Sequence, residues 1–229
     1  MSMKYLAIEG DDLIHETESR FWLSKGISSV KVSSMSEGIE LASTNQFLFV
    51  GINSDNINYK PKLPFLRDVT NDPIFVATSH YTKEEHAEAH RLGADLFGEV
   101  FENPQGNYEA IMTKISQING RSSQRKPTPE MIFSNNIHIS RTRHQVFYGE
   151  NELELTKIDF DVLYYLMENR GRVLSFEQIY DYAWDDRDNE SVINPVKCAM
   201  KRLRKKITGC DCDNDIIENV RGVGYRFSL

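Results

Sequence analysis

The chain has 229 residues, enough for one large domain or two ordinary ones with separate cores. It has no run of about 18 apolar residues and no basic N-terminal segment leading into an apolar one, so we expect a cytoplasmic protein with no membrane partner. Three cysteines, Cys198, Cys210 and Cys212, form no CxxC pair and lie near no histidine at zinc spacing. We therefore expect free thiols and no metal site.

Charge is unevenly distributed along this acidic chain. The formal net charge is −7, and the first 120 residues account for it with 10 basic and 17 acidic side chains. The remaining residues balance 17 against 17, but six of their cations lie in one segment, 194–207. Because the local field governs nucleic-acid binding, the overall acidity does not exclude a DNA-binding surface.

The first 120 residues alternate short apolar runs with helical patterns. The apolar runs predict strands at residues 5–8, 27–32, 47–52, 73–78 and 95–100. Helical patterns follow four of them directly, whereas the stretch between the third and fourth strands has an irregular pattern. Five strands alternating with helices predict a doubly wound α/β domain with a five-stranded parallel sheet, residues 1–120.

Residues 121–130 combine two prolines with polar side chains and predict a linker to a second domain, residues 131–229. Short alternating runs up to residue 155 predict a small antiparallel sheet. Three helical patterns follow, starting at Thr156, Ser175 and Asn194, and two strand-like runs around a glycine-containing turn close the chain. Three helices and a terminal hairpin are the parts of a winged helix-turn-helix.

The third helix of this second domain, residues 194–207, is basic and amphipathic. Asn194 is a suitable N-cap, and Pro195 suits the first helical position. An apolar stripe recurs at helical spacing: Val196, Met200, Leu203 and Ile207. The cations would project from the opposite side, toward phosphates and base edges. A solvated basic face is the alternative for the helix taken alone.

Four motifs occur in a fixed order in this half of the chain. They are Leu155-Thr156 with Phe160 and Leu163, then 169–178, then Arg202-Leu-Arg-Lys-Lys-Ile207, then Val220-Arg-Gly-Val-Gly-Tyr-Arg-Phe227. Together they closely resemble the effector domain of OmpR/PhoB-type bacterial response regulators, over about residues 131–228. The resemblance implies that the third helix lies in the major groove of DNA and that an arginine of the wing enters the adjacent minor groove.

Carried over residue by residue, the resemblance assigns DNA contacts to the helix and the wing: Lys197, Lys201, Arg202, Arg204, Lys205 and Arg221. Arg202 and Arg204 lie about 200° apart around the helix, so we expect one to face bases and the other to hold a phosphate or an internal carboxylate. In the family, the loop before this helix often touches RNA polymerase. Its acidic residues here are candidates for that contact, an ordinary solvated loop being the alternative: Asp185, Asp186, Asp188 and Glu190.

By the same resemblance the first domain is expected to be a receiver. Receivers use an aspartate after the third strand as phosphoacceptor, two acidic residues that bind Mg²⁺, a hydroxyl after the fourth strand and a lysine after the fifth. The aligned positions hold Glu9, Gly10, Asn53, Thr78 and Val100. Only Glu9 and Thr78 retain the required chemistry, so we predict a degenerate receiver that does not undergo the usual phosphorylation.

Asp55 is the alternative phosphoacceptor. It lies two residues beyond Asn53. Two residues along a strand keep the same face but move the side chain by about 6.6 Å, which is too far for a preformed site without loop rearrangement.

We therefore predict a sequence-specific transcription regulator that acts without receiver phosphorylation and binds double-stranded DNA as a homodimer. We expect no enzymatic activity and no cofactor. RNA polymerase, and a regulatory partner or ligand at the receiver-like domain, are further partners that the resemblance allows. Two alternatives stay open: a conventional two-component response regulator phosphorylated on Asp55, and an interaction protein whose basic helix adds only nonspecific DNA affinity.

Overall fold

The structure, a computed structural model, describes residues 3–9, 15–99, 104–119, 131–184, 192–208 and 216–228. The chain divides into two compact units, Met1–Pro129 and Glu130–Leu229, so their boundary falls within the segment predicted as a linker. Among the helices in the described ranges, none combines the length and apolarity needed to cross a bilayer.

The first unit contains a parallel five-stranded sheet. Its strands are β1 (Met3–Ile8), β2 (Ile27–Val32), β3 (Val50–Asn53), β4 (Ile74–Thr78) and β5 (Leu96–Glu99). They lie in the order β2-β1-β3-β4-β5, and every neighbouring pair is parallel. This confirms the predicted doubly wound α/β fold. The strand order reverses between β1 and β3, whose carboxyl ends therefore border a crevice.

The helices of this unit are α1 (His15–Ser24), α2 (Met35–Thr44), α3 (Leu63–Val69), α4 (Lys83–Leu92) and α5 (Pro104–Asn119). Thr82 caps α4, because its side chain accepts a hydrogen bond from the backbone N–H of Glu85 at 3.1 Å. Helix α3 corrects the sequence prediction of an irregular stretch. Pro64 lies in its first turn, where the missing N–H has no partner within the helix. Three buried side chains hold α3 in place: Leu63, Phe65 and Leu66.

One face of this sheet has an aromatic core. The rings of Tyr5 and Phe49 stack with centroids 4.7 Å apart. Trp22 of α1 packs against Phe49 at 5.2 Å and is 2 % exposed. Ile115 of α5 belongs to the same cluster, so α1 and α5 cover this face of the sheet.

The second unit has the predicted winged helix-turn-helix order. An antiparallel sheet contains β6 (Met131–Ser134), β7 (Ile137–Ser140), β8 (Gln145–Tyr148) and β9 (Asn151–Glu152). Then come α6 (Lys157–Glu168), β10 (Val173–Ser175), α7 (Phe176–Ala183), α8 (Ile193–Thr208), β11 (Ile217–Val220) and β12 (Gly224–Phe227). The last three strands pair in the order β10-β12-β11, which places the wing hairpin beside the strand that precedes α7.

The helix starts of this unit follow from local capping. Thr156 accepts from the N–H of Asp159 at 3.2 Å, and Ser175 forms a capping box with Gln178. Helix α8 begins at Ile193 rather than after Asn194. Asn194 is therefore a first-turn residue and not the N-cap, and Pro195 still lies where a missing N–H is tolerated.

Candidate nucleic-acid interface

Helix α8 has a buried face and a basic exposed face. The four predicted apolar residues are buried, with exposed fractions between 0 and 3 %: Val196, Met200, Leu203 and Ile207. Three exposed lysines, Lys197, Lys201 and Lys205, form what we call the lysine stripe. At about 1.5 Å rise per residue, the eight steps from Lys197 to Lys205 cover about 12 Å, close to the width of the major groove.

Arg202 joins α8 to α6. Its Nε donates to both carboxylate oxygens of Asp159 at 3.1 Å, and its Nη2 donates to Oδ1 at 2.7 Å. The Asp159 side chain is completely buried in the first turn of α6, and its hydrogen bonds raise the pKa of Arg202. The sequence predicted that one of the two arginines would face bases and that the other would hold a phosphate or an internal carboxylate. In this structure Arg202 binds an internal carboxylate, that of Asp159.

The environment of Arg204 contradicts the prediction that this side chain contacts DNA. It is only 8 % exposed, its Nη2 donates to the Ile217 carbonyl at 2.7 Å, and its guanidinium lies 5.5 Å from the centroid of the Tyr225 ring. The physical reason is tertiary: Ile217 and Tyr225, distant along the chain, receive the guanidinium, whereas Lys197, only about 20° away around the helix, stays exposed. Arg204 therefore anchors α8 to the wing strands.

The wing places Arg221 at the start of an exposed turn between β11 and β12. A Cβ at Gly224 would lie 1.9 Å from the Leu174 carbonyl oxygen, so glycine permits the close pairing of β12 with β10. Across the hairpin, Nε of Arg226 donates to Glu218 at 3.0 Å and holds the pKa of that carboxyl below its ordinary value. These contacts fix the hairpin that carries Arg221.

The acidic loop candidates for a polymerase contact lie outside the described residues: Asp185, Asp186, Asp188 and Glu190. Cys210 and Cys212 lie outside them as well, whereas Cys198 is an exposed free thiol on α8.

In the receiver-like unit, the chain turns immediately after Asn53. The Asn53 Oδ1 accepts from the backbone N–H of Asp55 at 3.0 Å. The Asp55 carboxylate accepts from the N–H of Ser79 at 3.0 and 3.1 Å and from the hydroxyl of Thr78 at 3.3 Å. The Asp55 carboxylate therefore reaches the end of β4, which the assumption of an extended strand did not predict, because the chain turns back after Asn53.

The remaining positions of the degenerate site are only partly described. Glu9 is buried, with a carboxylate oxygen 3.9 Å from Nζ of Lys31, and Thr78 is buried at the end of β4. Gly10 and Val100 lie outside the described residues. Within the described ranges, no group of three or more histidine, cysteine, aspartate or glutamate side chains is arranged to hold a metal ion.

Comparisons with known proteins agree with this architecture. Residues 150–227 match the family described as "Transcriptional regulatory protein, C terminal". The response regulator ArlR of Staphylococcus epidermidis is 31 % identical over 170 residues, covering 74 % of this chain and 73 % of ArlR. The chain belongs to the OmpR/PhoB-type response regulators.

Other similar proteins carry the same description. ArlR of Staphylococcus aureus is 31 % identical to this response regulator over 160 residues, covering 70 % of this chain and 68 % of ArlR. Among solved structures, the OmpR/PhoB homolog DrrB of Thermotoga maritima is 21 % identical, covers 99 % of this chain and 100 % of its own, and has a TM-score of 0.40. Both ArlR proteins are described as response regulators.

Proposed function

We propose that this DNA-binding response regulator recognises specific duplex sequences as a homodimer and regulates transcription without phosphorylation of its receiver-like unit. The observation that carries the DNA-binding part is the lysine stripe, which lies on the side of α8 opposite the buried face. Phosphates are the ligands that such a cationic row suits, and exposed Arg221 would add a minor-groove contact.

The different contacts of the basic side chains of α8 support the assignment of DNA binding to the lysine stripe. Arg202 and Arg204 are committed to Asp159 and to the Ile217 carbonyl, so they hold α8 in position. The lysines of the stripe are exposed on the remaining side and supply the charge that DNA would meet. RNA polymerase remains the partner proposed for the acidic loop before α8.

The Asp55 carboxylate supports phosphorylation independence. It accepts hydrogen bonds from the Thr78 hydroxyl and the Ser79 N–H, which are the kinds of donor that would bind phosphoryl oxygens in a working receiver. An anion of the chain itself therefore already occupies these donors. Asn53 adds a second argument, because a neutral amide at the acceptor position is not a carboxylate nucleophile.

Competition between duplexes tests the DNA-binding part. An operator selected from a random duplex library should bind the full chain tighter than unselected duplex by roughly 10³ or more at physiological salt. Sedimentation of the complex should give two chains per operator. Equal competition by both duplexes would favour the interaction-protein alternative, and one chain per operator would overturn the homodimer.

The second candidate is a conventional response regulator that is phosphorylated on Asp55. It is favoured by the position of Asp55, which provides a carboxylate in the turn directly after β3. After incubation with acetyl phosphate and Mg²⁺, we expect the intact mass and the sedimentation coefficient to stay unchanged. A phosphoryl mass that appears on the wild-type chain and is absent from Asp55→Asn would establish the conventional mechanism instead.

A further inference from the structure

The receiver-like unit contains a cavity of about 120 Å³ between its sheet and α5. Four buried aromatic side chains line it: Tyr5, Trp22, Phe49 and Phe75. Polar side chains from the strand ends and from the first turn of α5 also line it: Glu9, Asn53, Glu99 and Asn107. Glu9 and Asn53 lie at the ends of β1 and β3, where the strand order reverses, and this is the place where open α/β sheets bind ligands.

Small residues on adjacent strands create this space. Ala77 of β4 and Gly98 of β5 are paired in register, and Gly51 of β3 lies two residues before Asn53 on the same face. A Cβ added at Gly98 would meet no atom within 4 Å. Neither Gly51 nor Gly98 has a positive φ, so no turn requires a glycine there. Glycine inside a strand weakens it and often marks a place that a ligand approaches.

The size of the cavity restricts its occupant. Pockets for nucleotide-sized or drug-sized ligands measure about 300–1,000 Å³. A cavity of about 150 Å³ accepts benzene, which is close to the 120 Å³ found here. The enclosed volume therefore has room for no more than one ring, so a substituent on that ring must extend to the solvent-exposed side, where Glu99 lies, and dinucleotides and flavins are excluded.

The lining chemistry decides which substituent fits. Aromatic faces attract cations, and a carboxylate forms its strongest hydrogen bonds with a charged donor. A carboxylate oxygen of Glu9 lies 3.9 Å from Nζ of Lys31, whereas Glu99 is exposed at the end of β5. A ligand carboxylate would meet two like charges here. We propose that this cavity is a binding site for a single-ring aromatic amine, with the ring among the aromatic side chains and the ammonium group toward Glu99 and Glu9.

Fluorescence of Trp22 tests the proposal directly. The chain has two tryptophans, and Trp184 belongs to the second unit, so Trp184→Phe leaves Trp22 as the reporter inside the cavity. Titration with benzylamine should change the Trp22 emission saturably. Benzyl alcohol, of the same size but neutral, should bind more weakly by roughly tenfold or more, because it lacks the charged donor. Benzoate should give no saturable change.

Cavity-filling variants provide the matched controls. Gly98→Val should remove the benzylamine response and keep the circular dichroism spectrum, since valine suits a strand and enters open space. Gly98→Ala should fold equally well and retain weakened binding. Ala110→Leu fills the same cavity from α5 and should also remove binding, which keeps the test valid if Gly98→Val does not fold.

A rim variant tests the selectivity. Glu99→Gln should lower the affinity for benzylamine and leave that for benzyl alcohol unchanged. Three results would each overturn the proposal: no saturable response to benzylamine up to the highest concentration at which the chain stays folded, undiminished binding by folded Gly98→Val and Ala110→Leu, or equal affinity for benzylamine and benzoate.

Discussion

The buried carboxylate of Asp159 explains why Arg202 is tied to the interior. An ionised group without contact to water is strongly unfavourable unless hydrogen bonds compensate for its lost hydration. The first turn of α6 supplies a favourable dipole, and the guanidinium of Arg202 supplies the opposite charge. The pair therefore matters chiefly because breaking it would leave Asp159 charged and buried.

Arg202→Ala should lower the free energy of unfolding of the second unit by about 1.5–3 kcal/mol, the range for a hydrogen bond to a charged group. This loss of unfolding free energy is smaller than the loss on breaking a fully buried ion pair, because the Arg202 side chain is 47 % exposed. Urea unfolding followed by Trp184 emission in a Trp22→Phe background measures it. Asp159→Ala combined with Arg202→Ala should recover part of the loss, and strictly additive losses would contradict the pairing.

The two wing glycines have different physical roles and should respond differently to alanine. Gly222 has a φ of 74° and open space around its Cβ position, so Gly222→Ala should cost only about 1 kcal/mol of backbone strain. Gly224→Ala would bring a Cβ to 1.9 Å from a backbone carbonyl oxygen, and should detach β12 from β10. Amide hydrogen exchange of the wing checks this, and equal protection in both variants would argue against it.

At the scale of elements, α8 has one set of residues that attaches it to the rest of the second unit and another set of lysines that stays exposed. Its apolar stripe, Arg202 and Arg204 attach it to α6 and the wing, while the lysine stripe stays on the outer side. Lys206 lies on the same helix but donates to the Glu154 carbonyl. It is therefore a natural control for the effect of charge at a position outside the lysine stripe.

Replacing one lysine of the stripe by alanine should weaken operator binding and reduce the slope of log K against log salt by about 1, because one phosphate would no longer be neutralised by the protein. Lys201→Ala, at the centre of the stripe, is the most informative variant. Lys206→Ala should leave the slope closer to that of the wild type. If the two variants have the same slope, the outer side of α8 is not the surface that meets DNA.

At the scale of the whole molecule, two separate cores support two compact units. The chain is acidic as a whole, with a net charge of −7, yet α8 concentrates six cations. The positive electrostatic field that would attract DNA therefore arises from α8 and not from the net charge of the chain.

The two units should unfold in separate transitions. Trp22 and Trp184 report on different cores, so Trp184→Phe and Trp22→Phe chains should give different urea midpoints. Arg202→Ala should shift only the midpoint that Trp184 reports. A single midpoint shared by both reporters, and shifted together by Arg202→Ala, would contradict separate units.

Local sequence patterns were sufficient to establish the order of most elements and the family. Local patterns reveal features that depend on neighbours within a few residues. These are the alternating apolar runs, the helix starts at Thr156 and Ser175, and the apolar stripe of α8. The motifs of the second half likewise predicted the family that the comparisons established. Helix α3 was not predicted because Pro61 and Pro64 resemble helix breakers, and its buried face needs partners elsewhere in the sheet unit.

The tertiary structure, by contrast, was needed to establish which charged side chains are already held by contacts within the protein and which are exposed. Arg204 is buried because Ile217 and Tyr225, distant along the chain but adjacent in space, receive its guanidinium. Asp55 meets Thr78 because the chain turns after Asn53, which strand geometry alone could not anticipate. The cavity beside Gly51, Ala77 and Gly98 likewise requires three strands in register. The periodicity of the sequence determines on which face of a helix or strand a residue lies. Contacts between segments that are distant along the chain determine whether that face packs against the protein or is exposed to solvent.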